Sequence, residues 1–96
     1  MSPINKKQLN LLRGKLDKLD NELLRLIKKR SNLVNEVLKV KIYKNEIIDQ
    51  KRIDFILKKI KKKSIKSKID PKITNRIWKN MIWSFIDYEK RNFKKK

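Results

Sequence analysis

Residues 9–41 read LNLLRGKLDKLDNELLRLIKKRSNLVNEVLKVK. Leu9, Leu12, Leu16, Leu19, Leu23 and Leu26, then Leu33, Val37 and Val40, recur in steps of three and four, with one position, Arg30, out of type. This is the apolar face of a helix sustained over about four heptads. Pro3 is the only proline before the run ends, and Gly14 weakens the helix locally by about 1 kcal/mol. At 1.5 Å per residue a helix from Ile4 to Lys41 is roughly 55 Å long. A globule of this chain length is only about 25–30 Å across. Such a helix projects from its own chain and needs a partner, and a second chain is the simplest one.

Working outward, the pattern breaks at Tyr43 to Ile48. Asp49 is a natural N-cap for a second helix, Gln50 to about Lys62, with Ile53, Ile56, Leu57 and Ile60 on one face. Residues 61–68, KKKSIKSK, read as a polar connection. Asp70-Pro71 is a strong start signal, an N-cap followed by Pro at the first helical position. The third helix then runs to about Phe93, with Ile73, Ile77, Met81, Ile82, Phe85, Ile86 and Tyr88 as its apolar side. No strand alternation, internal repeat or interdomain linker interrupts the chain. The expectation is an all-α protein of three helices, long, short and medium. It forms a single domain over residues 1–96, with residues 1–8 and 94–96 frayed.

Composition excludes much chemistry. The 96 residues include no Cys and no His, so there is no disulfide framework, no thiolate or imidazole metal site and no Ser-His-Asp triad. The expectation is therefore no metal and no cofactor. One Gly rules out a Gly-rich phosphate loop. No apolar run approaches the ~18 residues of a membrane span, and Met1 to Asn10 lacks the apolar core of a signal peptide. A cytoplasmic location without membrane partners is expected.

The net charge is +19, from 29 basic and 10 acidic residues. Such a balance suits a basic helical nucleic-acid-binding protein. There is a second source for it. Lys, Ile and Asn make up 46 of the 96 residues while Ala is absent, the signature of AT-rich codons. Residues 58–96 alone carry 15 basic against 3 acidic groups. Most of the charge is read as a Lys-rich surface that draws anions generally, with no nucleic-acid partner expected.

A few residues break the helical pattern. Arg30 occupies a stripe position, and a charge there is either paired across a dimer or functional. Arg30, Val34, Val37 and Lys41 fall at i, i+4, i+7 and i+11 on one face, the two cations about 16 Å apart across an apolar floor. That would suit a small anion with an apolar body. Arg13 lies about 25 Å from Arg30 along a straight helix. It is either a solvent-facing Arg or serves a partner's pocket in an antiparallel dimer. Arg52 sits in the first turn of the second helix, where the macrodipole disfavours a cation. Either a bound anion or nearby Asp49 and Asp54 compensate it. Glu89 continues the column Met81/Ile82–Phe85, either as a carboxyl on an apolar face or as an exposed acid beside Lys90 and Arg91. Trp78, Trp83, Phe85 and Phe93 read as core rather than as stacking platforms for bases.

Taken together, these residues resemble the all-helical chorismate mutase family over roughly Leu9 to Arg91. The first helix is similar to the family's Arg, then I/L-D-x-I/L-D-x-x-L-L-x-L, then Arg, then Lys eleven residues on. DQKR at 49–52 resembles the D-x-x-R that opens the family's second helix, and IDPKITNRIW at 69–78 resembles the opening of its third. The resemblance implies an intertwined homodimer with two active sites acting on a small dianionic substrate, chorismate, in aromatic amino-acid biosynthesis. It also implies that Arg13 from the partner subunit and Arg30 hold the two carboxylates. Lys41 would contact the ether oxygen with help from Glu89. Arg52 would add positive potential, and Asp49 would lie near the substrate hydroxyl. Val34, Val37, Ile53 and Phe85 would line the pocket. The conversion of chorismate to prephenate is an intramolecular [3,3] rearrangement, so it asks for conformer selection and preorganised charge, not a nucleophile.

Two positions depart from the family pattern. Ile53 stands where a Glu commonly contacts the hydroxyl, and Phe85 stands where a small polar residue is common. The related isochorismate pyruvate-lyases share the scaffold and also tend to carry an aliphatic residue at the position of Ile53. Lyase activity is thus the alternative on the same fold.

Overall fold

The computed structural model describes residues 3–94. Three α-helices account for nearly all of them: α1, Pro3–Val40; α2, Gln50–Lys66; and α3, Pro71–Asn92. A single 3-10 turn, Lys44–Glu46, separates α1 from α2. The all-α, three-helix expectation holds. Of the ends expected to fray, residues 1, 2, 95 and 96 lie outside the described residues. No helix among the described residues is long and apolar enough to cross a membrane.

The chain forms two compact units, one ending at Leu33 and the other beginning at Val34. The first is α1 as far as Leu33. It starts on Pro3, whose missing N–H is no loss in a first turn. Its leucine stripe is uncovered: Leu12, Leu16, Leu19, Leu23 and Leu26 are between 50% and 60% exposed. Arg25 and Glu22 form an exposed ion pair at 2.8 Å, one turn apart.

The second unit holds the core. Ile47, Ile53, Ile82 and Ile86 are buried, with Ile56, Leu57 and Phe93 packed against them. Each helix start has a local cause. Asp49 caps α2 by accepting from the Arg52 N–H at 3.0 Å, and Asp70 caps α3 by accepting from the Lys72 N–H at 2.9 Å. Between α1 and α2, the Glu46 carboxylate accepts from the Tyr43 N–H at 2.9 Å and turns the chain so that Ile47 enters the core.

Three details differ from the sequence reading. First, α2 continues to Lys66, so much of the expected polar connection is helical. The reason is Ser64. It is buried, and its hydroxyl bonds the Ile60 carbonyl at 2.6 Å and the Thr74 hydroxyl of α3 at 2.7 Å. A serine whose hydrogen bonds are satisfied this way belongs to the α2–α3 contact, not to a loop.

Second, the buried face of α3 is narrower than expected. Ile73 and Ile77 are half exposed, because Pro71, Thr74 and Trp78 take the partly buried positions of its first half. Third, Trp83 is 47% exposed, because it lies about 100° around the helix from Ile82, on the side away from the buried face of Ile82, Ile86 and Glu89. Phe93 does pack on the core, and Trp78 and Phe85 are partly buried.

The end of α2 is a Schellman motif. The Ile69 N–H reaches the Ser64 carbonyl at 2.8 Å, and the Lys68 N–H reaches that of Ile65 at 3.1 Å. The left-handed position falls on Lys68, at φ 59°, where Gly is the usual residue. Lys68→Gly is expected to raise unfolding stability by about 0.5–1 kcal/mol. The check is a higher urea midpoint with an unchanged slope.

Candidate active site

The site is built around a carboxyl group that α3 carries into the core. Ile82, Ile86 and Glu89 fall at i, i+4 and i+7, and all three are buried. A buried carboxylate needs a partner. Lys41 supplies it: its Nζ donates to the Glu89 Oε1 at 2.9 Å. The side chains are 17% and 7% exposed. Lys41 lies just past α1, its N–H still bonded to the Val37 carbonyl at 3.2 Å, so the helix aims it at α3. Of the two sequence readings of Glu89, the buried one holds.

An open depression of about 460 Å³ adjoins Lys41, lined also by Glu46, Asp49 and Gln50 among others. Asp49 spends one carboxylate oxygen on capping α2. Arg52 is exposed, and its guanidinium lies 5.4 Å from the centre of the Phe55 ring, a cation–π contact that Lys59 repeats at 5.8 Å. The first-turn cation is thus answered by Asp49 at the backbone and by an aromatic face at the side chain. Ile53, the next residue, is buried in the core.

The remaining expected site residues are distributed as follows. Val34 and Phe85 are partly buried, and Val37 is 47% exposed. Arg13 and Arg30 belong to the unit that ends at Leu33. Arg13 is exposed and Arg30 partly buried. Sequence reasoning missed one polar contact beside the pair. The Tyr88 hydroxyl donates to Asn35 Oδ1 at 2.7 Å. Tyr88 was visible only as part of an apolar face, and nothing in the spacing links it to Asn35. Among the described residues there is no cluster of three or more His, Cys, Asp or Glu that could hold a metal ion.

What the arrangement offers is a largely buried ammonium held by a carboxylate, with an open depression beside the ammonium. The profile of the family described as chorismate mutase type II matches residues 12–90. The chain belongs to that family. Neither a curated protein nor a solved structure matches it. As a chorismate mutase the chain is an isomerase, converting chorismate to prephenate in the shikimate pathway. The matched span takes in Lys41, Glu89 and all of α2.

The pair has an energetic signature. Glu89→Ala leaves a largely buried ammonium without its partner and is expected to cost about 2 kcal/mol. The double variant Lys41→Met with Glu89→Leu, apolar on both sides, is expected to cost less than half of that. Urea unfolding of the two proteins checks the order.

Proposed function

We propose that the chain acts as an intertwined homodimer with two chorismate sites, each residue set completed by an arginine from the other subunit. Residues 1–96 then form one helical domain working in the cytoplasm, with no nucleic-acid partner. The exposed leucine stripe of α1 supports the dimer: a run of half-exposed leucines of this length is the kind of surface that a second copy covers.

In this reading Arg30 and the partner subunit's Arg13 hold the two carboxylates of chorismate, bidentate geometry fixing their orientation. Val34, Val37, Ile53 and Phe85 give the apolar walls that favour the compact diaxial conformer. Arg52 adds positive potential and Asp49 faces the substrate hydroxyl. As the carbon–oxygen bond breaks, negative charge grows on the ether oxygen. Lys41 donates to it there, held in place by Glu89, and such a contact is worth more in a dry site than in water. No proton changes owner, so the lack of His and Cys is no handicap to the reaction. The observation that carries the reading is the buried Lys41–Glu89 pair at 2.9 Å.

A subunit-mixing experiment tests it. Arg13→Ala and Arg30→Ala are each expected to lose nearly all activity while keeping their helicity. Mixed and re-equilibrated, they are expected to regain about a quarter of the wild-type rate, because half the dimers then hold one intact site of two. No recovery on mixing sinks the shared-site arrangement.

Amide substitution tests Glu89. Glu89→Gln keeps an acceptor for the Lys41 ammonium and is expected to hold kcat/KM within about threefold, whereas Glu89→Ala is expected to lower it about tenfold. Equal rates in the two variants overturn the role given to Glu89.

One observation favours a second reading. Ile53, which stands where the family commonly has a Glu for the substrate hydroxyl, is an apolar residue buried in the core. Isochorismate pyruvate-lyase activity on the same scaffold fits that feature, and parallel assays on chorismate and isochorismate separate the two.

A further inference from the structure

The Lys41–Glu89 pair ties the end of α1 to the end of α3, and a second side-chain link joins Asn35 to Tyr88 at 2.7 Å. The two links leave adjacent residues of α3 and land six residues apart, on Asn35 of α1 and on Lys41 just past its end, about 9 Å along the helix axis. One link alone lets a helix slide or roll about the contact. Two links at separated points restrain both translation and rotation. Tyr88 and Asn35 are both partly buried.

We propose that Tyr88 and Asn35 are positioning residues that hold Lys41 and Glu89 at the spacing the ether oxygen requires. The inference rests on the reading of Lys41, held in place by Glu89, as the ether-oxygen partner. Neither Tyr88 nor Asn35 touches the substrate in it. They act through the placement of their neighbours. A tyrosine is well suited to such a brace, because its ring spans the gap between the helices with only two rotatable bonds and its hydroxyl meets a fixed acceptor. Glu89, next along α3, is then presented to Lys41 by a backbone that is already anchored. An error of a fraction of an ångström in that placement is enough to lower a rate that depends on preorganised donors.

The test uses the full chain in whatever assembly it purifies as. Tyr88→Phe removes one oxygen and keeps the ring. It is expected to lower kcat on the order of tenfold with KM within about twofold, at unchanged helicity. Asn35→Leu is expected to do the same, and the double variant no worse than either single, because both remove one bond. Asn35→Asp keeps the acceptor oxygen and is expected to keep kcat. A merely structural role predicts instead a lower melting temperature with kcat per folded enzyme intact. That result, or losses that simply multiply in the double variant, overturns the brace. Lys41→Met, measured alongside, separates the premises. Wild-type activity in that variant overturns the reading of Lys41 and the brace with it. Loss there, with Tyr88→Phe unaffected, overturns the brace alone.

Discussion

A carboxylate on the apolar face of α3 has to be answered by a cation, and Lys41 answers it. Much of the second unit follows from that one requirement. Glu89 shares its face with Ile82 and Ile86, so the helix cannot bury its isoleucines without burying the acid as well. Lys41 sits where α1 ends, and the 3-10 turn that follows swings Ile47 into the core formed with Ile82 and Ile86. The ion pair therefore belongs both to the packing and to the depression beside it. Such a pair contributes little net stability compared with an apolar substitute. Its presence beside a core of four buried isoleucines fits the role proposed for it.

The reaction makes this arrangement sufficient. A rearrangement that moves no proton needs neither a nucleophile nor a base, only orientation and charge held where charge will appear. A chain without His or Cys looks poorly equipped for catalysis until the chemistry is specified. The same holds for the net charge of +19. Most of it lies on lysines that draw anions generally, and the proposed site uses only Arg13, Arg30, Lys41 and Arg52.

The legible parts of the fold are those governed by local rules. The period of the leucines marks α1, Asp49 and Asp70-Pro71 mark the starts of α2 and α3, and the stripe of Ile53, Ile56, Leu57 and Ile60 marks the inner face of α2. The illegible parts depend on contacts between elements. Ser64 in a lysine run reads as a linker, and only Thr74, ten residues away on another helix, makes it a packing residue. Trp83 reads as core by type, but the face it falls on is decided by Ile82 and Ile86. In the site, Lys41 could be found by its spacing from Arg30, whereas the Tyr88–Asn35 bond spans 53 residues and leaves no periodic trace.

The leucine stripe and the small core are two sides of one constraint. A domain of this size buries a modest fraction of its surface, and its stability is marginal unless something is added. Here four isoleucines are withdrawn from water while eight leucines of α1 stay at least half exposed. Covering those leucines with a second α1 would supply the missing apolar burial at about 25 cal/mol per Å². On the proposed reading it would also bring in the partner subunit's Arg13, the chain's own copy lying about 25 Å from Arg30 along a straight helix. In that arrangement folding and catalysis draw on the same contact. A substitution that weakens the leucine seam is then a lesion of the active site as well, even at positions that never meet the substrate.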